Sequence, residues 1–207
     1  MWDTSFCAQA MIEGNLIQKF PECSRKIYSF IRQCQIEENE ERREEFWRHE
    51  SKGGWPFSTP AHGWPIADCT AEGLKCVLGM NKESKKNNFL GDDMRVSDEK
   101  IFEAVSIILG YQNTEGGWAT YENNRGYGWY EMLNPSEVFG DIMIDYSYVE
   151  CTSAAITALK AFSEDYPLHR SIEIYNAIQV CDVLDTVKNS RTSTHFFLFY
   201  LLDAELM

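Results

Sequence analysis

The chain predicts an all-α fold, a partial α/α toroid, on three observations. Apolar residues recur at helical spacing in several windows, alternating strand patterns are sparse, and loops rich in Gly, Pro and aromatic residues separate the helical stretches. Residues 5–19 read as a first helix. Ile27, Phe30, Ile31 and Cys34 fall at i, i+3, i+4 and i+7, the buried stripe of a second. Glu37 to Glu50 is charge-dense and predicts a solvated helix or loop. Thr70 to Leu78 reads as a third helix, with Asp68 placed where an N-cap would stand. Lys82 to Asp93 is polar and predicts a flexible surface connection. Ile101, Val105 and Ile108 or Leu109 mark a fourth helix. Cys151, Ala155, Leu159 and Phe162 mark a fifth, and 171–184 a sixth. Segments 52–65 and 113–139 are loops. No linker divides the chain.

Composition bounds the function. A chain of 207 residues can bury a sizeable core. A net charge of −13 argues against nucleic acid and against attraction to anionic membrane surfaces. The seven cysteines, at 7, 23, 34, 69, 76, 151 and 181, form an odd set with no C-x-x-C pair. That predicts reduced thiols in a cytosolic compartment rather than a disulfide framework or a zinc site. Histidines 49, 62, 169 and 195 lack metal-ligand spacing, so no metal is expected. No secretory signal is visible, and the longest apolar run, Phe196 to Leu202, is too short to span a bilayer. The aromatic content of 14% suits an aromatic-lined cavity and also an ordinary large core.

The chemistry concentrates between Gly53 and Lys75. Asp68 stands alone among Trp55, Phe57 and Trp64, with the thiol of Cys69 beside it. A carboxyl group with poor solvation and no cationic neighbour keeps its proton at neutral pH. Aromatic faces can stabilise a carbocation that an anion or water would quench. The competing structural reading is a helix cap, and a helix N-terminus would favour the carboxylate. A weak internal repeat accompanies the acid. Gln112 leads through Gly116-Gly117 to Trp118, and a degenerate copy runs from Gln35 through Gly53-Gly54 to Trp55. An amide can satisfy free backbone groups at a helix end while an indole covers apolar surface. A generic helix–turn with Gly past its end would also fit.

Over residues 1–179 these motifs resemble the central part of the oxidosqualene cyclases, the triterpene and sterol synthases, most closely the plant enzymes. The resemblance lies in the run from Gly53 to the Asp68-Cys69-Thr70-Ala71-Glu72 pentapeptide, in Tyr148 to Ala154, in Gly117 to Glu122, in Leu133 to Tyr146, and in the Gln–Trp repeat. It implies an isomerase in which Asp68 protonates the epoxide of 2,3-oxidosqualene and Cys69 with Cys151 orients that acid. It further implies that Trp2, Phe57 and Tyr121 face the cationic intermediates, and that no cofactor takes part. The related enzymes that protonate a plain alkene carry aspartates two places before and one after the central acid. Ile66 and Cys69 stand there instead, which points to the more basic epoxide oxygen.

The same resemblance implies the cytoplasmic side of the endoplasmic reticulum membrane, and it leaves the family's N-terminal half, membrane-inserting region and later helices unmatched. The expectation is therefore a truncated cyclase: residues 1–179 from the catalytic barrel and 180–207 a divergent tail. Such a fragment would be soluble in the cytosol or unstable, and inactive alone. A non-catalytic remnant is the second reading, since half a toroid leaves apolar faces uncovered. A glycoside hydrolase using Asp68 and Glu72, four apart on one helix face, is the third.

Overall fold

The computed structural model describes residues 1–123, 126–138, 140 and 142–189. The expected divergent tail from residue 190 onward lies outside them, its apolar run Phe196 to Leu202 included. So do Phe139 and Asp141 of the Leu133 to Tyr146 stretch. Six α-helices follow in order: α1 (Trp2–Glu13), α2 (Pro21–Cys34), α3 (Ala67–Asn87), α4 (Asp98–Gly110), α5 (Val149–Asp165) and α6 (Ser171–Asn189). Short 3-10 turns at Pro60–His62, Asp92–Met94 and Gly128–Leu133 interrupt the loops. Among the described residues no strand forms, and Gln112 and Trp118 share an isolated bridge.

The helices alternate between two layers. α3 packs on α1 and on α5, forming the inner layer α1–α3–α5. α2 covers α1 and α3, α4 covers α3, and α6 covers α5 and touches α4. This inner–outer alternation is the α/α toroid architecture expected of the sequence. α3 lies at the centre and is buried on most sides, from Ala67 through Met80. The predicted stripes are the ones that face inward. Ile31 and Cys34 of α2, Ile101, Val105 and Ile108 of α4, and Cys151, Ala155, Leu159 and Phe162 of α5 are all buried.

Three element boundaries differ from the sequence reading. α1 begins at Trp2 and stops at Glu13, where the Gly14 N–H closes onto Ala10 and Asn15 turns the chain at φ 52°. Residues 16–19 therefore lie outside the helix, and Ile17 inserts into the core. Lys82–Asn87 is no surface connection but the last turns of α3, which ends only at Asn88 in the left-handed conformation. Ser84 on this polar stretch is buried and exchanges hydrogen bonds with the backbone of buried Leu90. α6 runs to Asn189, beyond the 184 expected. The charge-dense span from Glu37 to Glu50 is a loop of turns.

The internal repeat is geometric as well as sequential. Gln112 Nε2 donates to the carbonyls of Gly116 and Ala177, each at 2.8 Å, while Trp118 Nε1 donates to the Ile108 carbonyl at 2.6 Å. Gln35 Nε2 donates to Gly53 and Lys100, each at 2.9 Å, and Trp55 Nε1 donates to Ile31 at 2.8 Å. Both indoles are fully buried. Gly53 and Gly116 adopt φ of 94° and 92°, where a side chain would be strained. The degenerate copy is thus a full one.

Each Trp then seats the next inner helix. The Trp55 N–H donates to Thr70 Oγ1 at 3.0 Å and its carbonyl accepts from Ile66 at 3.0 Å. The Trp118 N–H donates to Thr152 Oγ1 at 3.0 Å and its carbonyl accepts from Tyr148 at 2.9 Å. Ile66 and Tyr148 are the N-caps of α3 and α5. Trp118→Phe removes a buried hydrogen bond and part of a buried ring, so it is expected to cost about 2–3 kcal/mol. Trp129→Phe, at a half-exposed ring, should stay within about 0.5 kcal/mol. Urea denaturation of both variants checks this, and equal midpoints would contradict it.

Candidate active site

Asp68 is the second residue of α3 and half-buried. It does not cap the helix. The N-cap is Ile66, whose backbone is extended and whose side chain makes no cap hydrogen bond. Backbone carbonyls from two loops take the first N–H groups instead: Trp55 accepts from Ile66, and Thr120 accepts from Ala67 at 2.8 Å. With those donors satisfied, the Asp68 carboxyl is spared for other contacts. Its Oδ1 accepts the Cys69 N–H at 2.7 Å.

The two cysteines meet at this point. Cys69 is buried on α3, its thiol next to the Asp68 carboxyl and lowering that carboxyl's pKa against the effect of burial. Cys151 is buried in the first turn of α5, within electrostatic reach of Asp68. The fold therefore unites Asp68, Cys69 and Cys151 across the α3–α5 interface. The six cysteines with described side chains are free thiols. Among the described residues no group of His, Cys, Asp or Glu is placed to hold a metal ion.

Burial governs the electrostatics. It pushes the Asp68 carboxyl above its ordinary value, opposed by the backbone and thiol hydrogen bonds from Cys69 and reinforced by the negative charge of Glu72. Among the described residues no Lys, Arg or His side chain forms an ion pair with Asp68, and the nearest cationic influence is the Met1 α-ammonium, which acts on Cys69 beside it. Burial, then the Asp68 charge, raises the Cys151 thiol to about 12 and lifts Cys69 well above the thiol range. Both thiols stay protonated and can only donate weakly to the acid. Glu72, one turn along α3, is buried but partnered: Lys75 pairs with it at 2.8 Å and Gln9 donates at 2.6 Å. Lys75 also reaches Thr157 on α5 at 3.1 Å.

The expected aromatic residues form two groups. Trp2 and Phe57 lie 5.9 Å apart, joined by a 3.2 Å bond from the Trp2 N–H to the Phe57 carbonyl. Tyr121 meets Trp64 edge to face at 6.2 Å, and its N–H donates to Asp145 Oδ2 at 2.8 Å. Phe57 is 47% and Tyr121 40% exposed, so both present ring surface to solvent. Sequence reasoning placed Trp64 among the aromatics around Asp68 without a role of its own, and it gave none to Arg48 or Glu122. The Arg48 guanidinium lies 3.2 Å from the Trp64 ring centroid, and its Nε donates to Glu122 at 2.7 Å. Arg48, in a charge-dense span, carried no signal.

Over residues 1–182 the chain matches the family model described as the squalene-hopene cyclase C-terminal domain. It is 43% identical over 176 residues to a cycloartenol synthase of Dictyostelium discoideum, covering 85% of this chain and 24% of that protein. A lanosterol synthase of Mus musculus is 46% identical over 176 residues, 84% of this chain and 23% of the relative. The alpha-onocerin synthase LCD of Lycopodium clavatum is 36% identical over 180 residues, 86% and 23% respectively. The chain spans about a quarter of the length of these curated relatives.

The raised Asp68 carboxyl makes a pH prediction. The folded state holds this proton more tightly than the unfolded chain. Its stabilising effect is therefore complete below the ordinary value of 3.8 and is lost as pH rises through the folded value. Asp68→Asn keeps the shape and cannot titrate. The urea midpoint of the variant relative to the parent should climb as pH rises above the ordinary value of 3.8 and level off once the folded carboxyl has ionised. A difference that does not change with pH would contradict the burial of this acid.

Proposed function

This chain belongs to the squalene-hopene and oxidosqualene cyclase family, and from that premise we propose that its α3–α5 face is the acid end of a polyene-epoxide cyclisation site. The single observation that carries this is a half-buried carboxyl that forms no ion pair with a side chain, beside a buried neutral thiol at the start of the central inner helix. The chemistry follows from those groups. Asp68, protonated, donates its proton to the epoxide oxygen of 2,3-oxidosqualene. The C–O bond opens to a hydroxyl, the adjacent carbon becomes electron-deficient, and the nearest alkene supplies the electron pair for a new C–C bond. Asp68 is left as a carboxylate. Cys69 and Cys151 orient the acid and, as neutral weak donors, stabilise the carboxylate left after proton transfer.

Each ring closure moves the cation to the next alkene carbon, and a final proton loss returns the proton balance to zero. Substrate and product are isomers, so the reaction draws on no organic cofactor. Trp2, Phe57 and Tyr121 would stabilise the migrating charge through their faces. Residues 1–179 would form this sector of the catalytic barrel, with 180–207 a tail divergent in sequence whose first residues continue α6, on the cytoplasmic side of the endoplasmic reticulum. No helix among the described residues is long and apolar enough to cross a membrane. The glycosidase alternative is disfavoured because Glu72 is tied up by Lys75 and Gln9. A non-catalytic remnant remains the second reading, favoured by the solvent exposure of Phe57 and Tyr121.

The 207-residue chain alone should give no cyclic product in yeast that accumulates oxidosqualene, because a cation cascade needs a closed cavity that excludes water. Mass-spectrometric triterpene profiles check this, and a new product lost with Asp68→Asn would overturn it. Grafting residues 1–179 in place of the matching segment of the mouse lanosterol synthase tests the roles directly. There Asp68→Asn should lower turnover by roughly 10⁴-fold or more, as loss of the sole proton donor. Cys151→Ala should cost about tenfold, the scale of one hydrogen bond. Parental turnover by the Asn variant would refute the assignment.

A further inference from the structure

The loop from Glu37 to Glu50 returns to the site through Arg48. Its side chain is 15% exposed and that of its partner Glu122 only 6%, so the pair is largely desolvated, unlike the surface ion pairs of this chain. Removing one partner of such a pair leaves an uncompensated buried charge. Nε fixes the guanidinium on Glu122 Oε1, and the same oxygen accepts the His49 N–H at 3.0 Å. Burial would raise the Glu122 carboxyl, but the bonds from Arg48 and His49 outweigh it and hold it below the ordinary range, so it is charged. The planar guanidinium then covers the Trp64 ring at 3.2 Å, and Trp64 meets Tyr121 edge-on. Glu122 follows Tyr121 directly in the chain. Arg48 thus bridges the loop that runs into α3 and the loop whose Thr120 carbonyl takes the Ala67 N–H.

We infer that Arg48 is a positioning residue: clamped by Glu122, it fixes Trp64 and Tyr121 as one aromatic wall at the N-terminus of α3. The inference rests on the proposed role of that region in cyclisation, and it deepens that role by naming what shapes the wall. The pair also settles a charge problem. A lone guanidinium beside a migrating cation would repel it, and the Glu122 carboxylate neutralises that charge at contact distance. Lysine cannot substitute, because a point charge does not lie flat on an indole.

The test uses the full 207-residue chain labelled with 5-fluorotryptophan, in parallel with 3-fluorotyrosine, and needs no turnover. Trp64→Phe and Tyr121→Phe assign the two resonances. Arg48→Lys and Glu122→Gln are each expected to shift or broaden Trp64 and Tyr121 by more than a line width. The resonances of Trp55 and Trp118, anchored in the core, should stay in place. If Arg48→Lys unfolds the chain, Trp55 and Trp118 collapse to unfolded positions, and the milder Glu122→Gln decides. Unchanged Trp64 and Tyr121 resonances overturn the inference. So does an equal shift of every tryptophan, which would make Arg48 a general stabiliser. Either result leaves the Asp68 role to the grafted enzyme, so the two failures are distinguishable.

Discussion

Two indole N–H groups set the frame on which the rest is built. Trp55 and Trp118 each hang from a carbonyl near the end of the preceding outer helix, Ile31 or Ile108. Each lies after a Gly-Gly turn that a side chain would obstruct. An added Cβ on Gly54 would come 2.6 Å from Pro65 Cβ, and one on Gly117 would come 2.6 Å from Ser147 Cβ. So close an approach lets the Trp main chain reach both the N-cap N–H and a threonine hydroxyl of the next inner helix. A buried polar group left unpaired costs more than its hydrogen bond returns. Losing the indole anchor would therefore unseat the helix start as well as open a void. The position of α3, and with it Asp68, descends from this arrangement.

The same arrangement decides the chemistry of the acid. A helix N-terminus favours a carboxylate by about 0.3–1 kcal/mol, up to about 2 in partly buried geometries. Taking a charge out of water costs several kcal/mol per ion. At Asp68 the burial effect is the leading one, and the proton is held more tightly than on a solvated carboxyl. The one helix N–H that Asp68 Oδ1 accepts, from Cys69, favours the anion and opposes the burial effect without reversing it. Loop carbonyls from Trp55 and Thr120 accept from the two leading N–H groups. Glu72 sits one turn away with Lys75 and Gln9 on its two oxygens, so the neighbouring carboxyl is held by a cation while Asp68 forms no such ion pair.

How far the sequence disclosed this depended on whether a feature was local. The stripes of α2, α4 and α5 were legible because helical periodicity and burial coincide there. The second Gln–Trp copy was legible because Gln112 and Gly116 are four positions apart. Its first copy looked degenerate because Gln35 and Gly53 are 18 apart, with the charged loop between them. The polar residues Lys82 to Asn87 hid the last turns of α3, since an inner helix emerging at the edge of its layer loses its apolar signature while keeping its backbone bonds. Asp68 and the cysteine beside it were visible as a motif. The Arg48–Glu122 pair was not, because its members are 74 positions apart and each stands among ordinary surface charges.

The duplicated scaffold explains why one acid is special. Asp68-Cys69-Thr70 and Glu150-Cys151-Thr152 occupy matching places: each threonine takes a Trp N–H, and each cysteine is buried. The acids before them differ in surroundings. α3 lies between α1 and α5, so the carboxyl at its start is enclosed on both sides, whereas Glu150 starts the flanking helix and is exposed. A repeat supplies equivalent backbone positions, and the layer order then makes them chemically unequal. Desolvation selects the central acid. The flanking inner helix contributes Cys151 rather than its own carboxylate, so the centre gains a neutral neighbour in place of a second negative charge.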